Sequence, residues 1–348
     1  MKFMRRNLLA LAGAAALAAG FSAAPATAQE VTLRLHQFLP AQANVPKYVL
    51  DVWADKVEAE SDGRIKIQRF PSMQLGGTPP ELIDQAIDGI ADIIWTVAGY
   101  TPGRFPRAEV FERPFMMTNA EATSKAYWDI ASKYMLDDDF KDFHTIGVWV
   151  HGPGIIHSKE PIKTVADLNG VKLRAPTRVT NMMFSSMGAT PVGMPVPAIP
   201  EALSKGVVDA TVIPWEVAGI LKVPELVSNH TEFGDASLYT TSFIFAMNKD
   251  RYESLPDDLK KVIDDNSGLE FSAFAGKTMA AYDAPIRKIA EDRGNNIMVL
   301  TPDQVQEWRD ASAPTIDAWV KEMDEKGLDG TGLIEEAKAL IAKYTDGN

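Results

Sequence analysis

The chain has 348 residues, a formal net charge of −12 and no cysteine. So acidic a balance argues against nucleic acid or an anionic lipid surface as a partner. The lack of thiols removes disulfides, cysteine nucleophiles and cysteine metal sites.

Lys2, Arg5 and Arg6 form a positive start, and Leu8 to Phe21 is an uncharged run rich in Ala and Leu. Ala26-Thr27-Ala28 then offers small residues for cleavage. That order predicts a signal peptide over 1–28, cut near Ala28. The apolar run is shorter than the roughly 20 residues needed to cross a bilayer. Arg5-Arg6 leaves both the general and the twin-Arg export routes open. With no cysteine to carry a lipid, the expected compartment is a bacterial periplasm. Cleavage would leave 320 residues, enough for two domains, and would take the net charge from −12 to −15. An anionic ligand would then have to be won by local geometry, against the overall field.

Val31 to Phe38 alternates as a strand. Asn44 and Pro46 open a helix carrying Val49, Val52, Trp53 and Val57, and Gly63 closes it. Ile65 to Phe70 is a second strand. Thr78-Pro79-Pro80-Glu81 combines a capping box with proline at the first helical position. Its helix runs to Gly89, and Ala91 to Val97 is a third strand. Helices between strands predict a largely parallel sheet covered on both faces. A helix over Ala120 to Leu136 precedes one strand over Thr145 to Ile156.

The pattern then restarts. Thr164 to Asp167 caps a short helix, Val171 to Arg174 is a strand, and Thr177 to Met187 is a helix. Thr190 to Met194 is a strand, Pro200 to Lys205 a helix and Val208 to Ile213 a strand. Ser237 to Met247 reads as a strand returning to the first half. Helical stretches over Asp257 to Arg293 and Pro302 to Tyr344 follow, the latter broken at Gly327 and Gly330. Junctions near Val150 and Tyr239 fall inside predicted strands, which suggests a hinge between two lobes.

No nucleophile elbow, zinc-protease helix, phosphate loop or dinucleotide fingerprint is present. His151 and His157 flank Gly152-Pro153-Gly154 at a spacing that does not suit a metal. Asp137-Asp138-Asp139 reads as a solvated helix end. The expectation is therefore no catalytic residue, no metal and no cofactor. What remains is a binding constellation. Ligands of open α/β sheets sit at the carboxyl ends of strands, where this sequence places Phe38, Trp95, His151, Arg174 and Trp215. Arg174, followed by Ala175-Pro176-Thr177, can offer a planar fork to a carboxylate. The alternative for Arg174 is a salt bridge to Asp167 or Asp209.

These residues sit within a longer resemblance. Phe70-Pro71-Ser72-Met73-Gln74-Leu75-Gly76, Gly89 to Asp92, Phe105-Pro106 and Pro114-Phe115 are similar to blocks of the DctP-type solute-binding proteins of TRAP (tripartite ATP-independent periplasmic) transporters. So are Asp167 to Arg174, Gly188-Ala189-Thr190-Pro191, Ala202-Leu203 and Gly206 to Asp209. The resemblance implies a two-lobed α/β periplasmic binding protein, type II-like, with an interlobe cleft and a long C-terminal helix spanning both lobes. The lobes would be 29–149 plus 240–285, and 150–239 plus 286–348 with the C-terminal helices. It also implies closure on a small carboxylate and delivery to the membrane permease subunits; a monomer is the separate expectation. Arg174 takes the role of carboxylate clamp.

Departures from the family pattern narrow the ligand. Ile213 stands where sialic-acid and dicarboxylate members have Asn. Trp95 to Tyr100 lacks the Glu of sugar-acid members. Gly154 replaces a second Arg found in some members, and Ala198 replaces a Glu. Polyol partners are thus exchanged for Trp, Ile, Val and Tyr. The expected ligand-binding residues are Arg174, Trp215, Trp95, Phe38, Tyr100, His151, Ile213 and Thr177. The expected ligand is a monocarboxylate with an apolar or aromatic body, such as a benzoate-like or branched 2-oxo acid. Alternatives are a sugar acid or dicarboxylate receptor, a sensory binding protein or an exported enzyme. Core packing away from the cleft is the competing account of Trp95 and Trp215, and the favoured one for Trp149.

Overall fold

The computed structural model describes residues 30–347, so the expected signal peptide lies outside the described residues. Two sheets form two lobes. The first has the order β2-β1-β3-β10-β4, from β1 (Val31–His36), β2 (Ile65–Phe70), β3 (Ile93–Val97), β4 (Phe143–Val150) and β10 (Ser242–Asn248). The second has the order β11-β9-β5-β8-β6-β7. It uses β5 (Ile155–Ser158), β6 (Lys172–Ala175), β7 (Thr190–Gly193), β8 (Ala210–Ile213), β9 (Asn229–Glu232) and β11 (Asn296–Val299). In each sheet, strands joined through helices run parallel, and the strand arriving from the other lobe runs antiparallel: β10 against β3 and β4, β5 against β8 and β9.

Local sequence accounts for the element ends. The predicted capping boxes form, with Thr78 N donating to Glu81 Oε2 at 2.6 Å and Thr164 N to Asp167 Oδ2 at 2.8 Å. β3 is buried along its whole length, as an interior strand requires. Strand β4 is a sheet edge, and its free amides are capped by the helices that cover it. Val148 N donates to Ser272 Oγ and Val150 N to Ser124 Oγ, both at 3.1 Å.

The single strand expected over Thr145 to Ile156 is two strands in two sheets, separated by His151-Gly152-Pro153-Gly154. Proline cannot donate to a ladder. The glycines are needed for space. A Cβ on Gly152 would lie 2.1 Å from Asp283 Oδ2, and one on Gly154 would lie 2.1 Å from the Tyr239 ring. The strand expected from Ser237 begins only at Ser242, so Tyr239 sits in the return connection between lobes. Asp257 to Arg293 is three helices, Asp257–Asp265, Leu269–Ala281 and Asp283–Asp292. Gly268, at φ +88°, makes the first break. Pro285 has no amide to bond back to Ala281, which suits the second break at Tyr282. Here the chain crosses between lobes a third time.

Helix Pro302–Glu325 ties the lobes together. At 24 residues it spans about 36 Å. Trp308 is buried in the core of the second lobe, and Trp319 and Met323 in that of the first. The last helix, Gly330–Thr345, reaches helix Ala120–Tyr134 of the first lobe, where Lys133 Nζ donates to Glu336 at 2.7 Å. Residues 286–348 thus contribute to both lobes, with the long C-terminal helix present as the resemblance implies. Gly330 opens this helix and does not interrupt it.

Candidate ligand-binding cleft

A cavity of about 430 Å³ of atom-free space, its mouth included, lies between the lobes. Strand carboxyl ends from both sheets reach it, as the rule for open α/β sheets predicts. Six of the eight expected residues line it: Phe38, Trp95, Tyr100, His151, Arg174 and Ile213.

Arg174 is fully buried near the end of β6. Its Nε donates to Met194 O at 2.9 Å and its Nη1 to Val212 O at 3.1 Å. Both acceptors are neutral carbonyls, and Arg174 makes no ion pair among the described residues. Its Nη2 has no hydrogen-bond partner there. Asp167 instead accepts the amides of Lys163 and Thr164, and Asp209 pairs with Lys159. The alternative of an Arg174 salt bridge to either aspartate is not what the geometry shows. Burial pulls the Arg174 pKa below its ordinary value, and the nearby Tyr100 and Tyr239 hydroxyls oppose that shift. A guanidinium stays charged under such a shift, so the cleft wall holds a fixed cation with one unpartnered nitrogen.

The walls are aromatic. Phe38 stacks on Trp95 with centroids 4.5 Å apart and planes 19° apart. Phe243 of β10 lies 5.4 Å from Trp95. Trp95 Nε1 is a second buried donor without a partner. Tyr100 closes one end, its hydroxyl accepting Val196 N across the cleft at 2.9 Å. His151 is held neutral, its pKa pulled down to about 4 by burial. Its Nδ1 lies 2.5 Å from Gly152 O, which fixes the proton there.

Two expected residues are not in the lining. Trp215 turns into the second lobe, where its indole donates to Glu232 Oε1 at 2.7 Å. Its ring packs on His157 and His230, with centroids at 4.9 and 4.7 Å. A residue just past a strand end can point to either side, and here the buried histidine pair claims the indole. Thr177 caps helix Arg178–Ser186 through Thr180 N. Its methyl packs where a Cβ on Gly99 would lie 2.5 Å away. Trp149 is fully buried behind Trp95 and donates to Met279 Sδ at 3.0 Å. His151 and His157 part company: His157 leaves the cleft and pairs with His230 through Nδ1 at 2.8 Å.

Tyr239, Phe243, Thr241 and Glu216 also line the cavity. The sequence reading passed over them, although Tyr239 was marked as a junction. Tyr239 occupies the space opened by Gly154. A phenol ring therefore fills the room that a side chain at the glycine position would need.

Fold and cleft together define a two-lobed solute-binding protein with a buried cation in an aromatic cavity. Residues 36–322 match the DctP family, bacterial extracellular solute-binding protein family 7, and the chain belongs to that family. It is 50% identical to a TRAP solute-binding protein of Rhodoferax ferrireducens solved with copurified benzoate. That match covers 90% of this chain and 98% of the other, with a TM-score of 0.89. A marine metagenome protein specific for aromatic acid ligands, solved with metahydroxyphenylacetate, is 49% identical. It covers 90% and 99% of the two chains, with a TM-score of 0.88. A Bordetella bronchiseptica protein with bound (R)- and (S)-mandelate is 27% identical over 90% and 99%, with a TM-score of 0.84.

Proposed function

We propose that this chain is a periplasmic TRAP receptor that captures an aromatic monocarboxylate through Arg174 and delivers it to membrane permease subunits. One observation carries the reading. A fully buried guanidinium, anchored by two carbonyls, keeps one nitrogen, Nη2, unpartnered in the wall of an aromatic cavity. A carboxylate would neutralise it with charge-assisted hydrogen bonds. An aromatic body would gain about 0.5–1.5 kcal/mol for each ring contact beyond simple area burial. A polyol would leave buried hydroxyls unpaired, at about 1–3 kcal/mol each. The relatives solved with benzoate, hydroxyphenylacetate and mandelate support the same ligand class. Capture by one chain suffices, since both cavity walls come from it. Export through the expected signal peptide places it where such a receptor works.

A thermal-shift screen against an organic-acid library tests this. A ligand at 100 times its dissociation constant adds about 2.7 kcal/mol to stability. Benzoate-like acids should raise the melting temperature. Shifts with uronates or C4-dicarboxylates, and none with aromatic acids, would overturn the ligand class.

A further inference from the structure

Among the described residues, one acidic residue lines the cavity, Glu216, only 2% exposed. It follows Pro214 at the start of helix Trp215–Ile220. Its backbone amide donates to Asp283 Oδ1 at 2.8 Å, and its carbonyl accepts from Asn44 Nδ2 at 3.3 Å. Asn44 belongs to the loop after β1 in the first lobe, and Asp283 opens the helix that crosses between lobes. Glu216 is thus pinned where three elements meet.

This carboxyl is separate from the clamp. Tyr100 and Tyr239 act on the charge of Arg174, whereas Glu216 feels the Asp283 charge and its carboxyl is hydrogen-bonded by Asn44. The cavity therefore has two polar poles, and the rest of its wall is mostly apolar side chains such as Leu39, Val45 and Val217. Asn44 meets part of the bonding capacity of this carboxyl, and any polar group of a ligand buried against it would need a partner in turn. Burial, aided by the Asp283 charge, pushes its pKa up to about 8. At neutral pH it therefore carries a proton, giving it one donor and one acceptor. A ring hydroxyl has the same pair, so each can satisfy the other.

We propose that Glu216 is a specificity-determining residue that hydrogen-bonds a hydroxyl on the ring of the bound acid, so that hydroxylated aromatic acids are preferred over unsubstituted ones. This rests on the aromatic-acid reading above. Arg174 holds the carboxylate, and Glu216 reads the substituent. Losing the hydroxyl would leave Glu216 buried without its ligand partner, a penalty that corresponds to roughly a tenfold or greater loss of affinity.

Isothermal titration of the full mature chain with benzoate and with 2-, 3- and 4-hydroxybenzoate tests it. In the unaltered protein, at least one hydroxy isomer should bind about tenfold or more tightly than benzoate. Glu216→Leu should reduce that ratio to within about threefold. Glu216→Gln keeps an oxygen acceptor and a donor in the same shape, and should retain most of the preference. A melting curve for each variant reports folding separately. An unaltered ratio in a folded Glu216→Leu, or no preference in the parent protein, overturns the proposal and leaves the aromatic-acid reading standing. Failure of benzoate and every hydroxybenzoate to bind the parent protein overturns both.

Discussion

Replacing Arg174 separates the clamp from the rest of the cleft. The guanidinium is fully buried, spends two donors on Met194 O and Val212 O, and leaves Nη2 free. Arg174→Met keeps most of the volume and removes the charge. The ligand carboxylate would then enter an apolar cavity unpaired. Breaking a buried pair by removing one partner costs about 3–5 kcal/mol. At about 1.4 kcal/mol per decade, the dissociation constant for an aromatic acid should rise by roughly two to three orders of magnitude. The fold should suffer far less. Two carbonyls lose a donor at about 1 kcal/mol each, and the removal of a buried cation without a carboxylate partner offsets part of that. Arg174→Lys keeps the charge and loses the fork, so its affinity should fall between the two. The assay is calorimetric titration beside urea unfolding of the ligand-free proteins. A folded Arg174→Met that binds within about threefold of the parent would refute the clamp.

Other expectations follow from the same geometry. Gly154→Ala should lower stability by about 1–3 kcal/mol in urea unfolding and weaken binding, because its Cβ would meet the Tyr239 ring at 2.1 Å. Trp215→Phe should cost about 1 kcal/mol through the lost bond to Glu232, yet leave ligand affinity within about threefold, since the indole faces away from the cleft. Stability should fall as pH rises from about 6.5 to about 8. Burial raises the folded pKa of Glu112 and Glu216 to about 8 and of Asp283 to about 7, so the folded state holds protons that the unfolded state has released. Below the ordinary histidine value, His151, His157 and His230, all lowered by burial, oppose this trend, because there the unfolded state binds the extra protons. Above it those histidines are neutral in both states and only the acids act. Denaturation midpoints at pH 6.5 and 8.5 check the sign, and a Glu216→Gln/Asp283→Asn variant should show a shallower fall.

Much of the frame is legible because its signals are local. Capping boxes at Thr78 and Thr164 and glycines at strand–helix turns act within a few residues, and the structure places them as expected. Arg174 is singled out by the family resemblance, because the strand end alone leaves a salt bridge to Asp167 or Asp209 equally open. The errors arise where a long-range partner decides. Thr145 to Ile156 reads as one apolar run, and only Tyr239 and Asp283, packed on the glycines, show why it divides there. β9 is buried but spelled Asn-His-Thr-Glu, so its burial is invisible without the hydrogen bonds that Thr231 makes to Ile162 O and Asn229 to Lys159 O. Trp215 and Trp95 are both expected at strand ends, and His157 and His230, from two other strands of the second sheet, turn Trp215 away from the cavity. Glu216 resembles any acid in a first helical turn, favoured there by the helix dipole alone.

The acidic balance and the buried cation fit together once closure is considered. The described contacts across the cleft include Tyr100 with Val196 N, Asn44 with Glu216 O, Phe115 N with Leu238 O at 3.1 Å, and Arg178 bonded to Glu109 at 2.6 Å. Neutral bonds of this kind contribute about 0.5–1.5 kcal/mol each, and a partly exposed ion pair about 0–1 kcal/mol. This arrangement holds a guanidinium without an ion pair in a largely apolar enclosure, bonded to two neutral carbonyls. On the proposed reading, a carboxylate would supply the missing charge. Long-range repulsion from the negative surface is screened over about 8 Å at physiological salt, so it weakens encounter more than it weakens the bound state. On the proposed reading, selection for the anion would reside where Arg174 from one lobe faces the Phe38–Trp95 stack of the other.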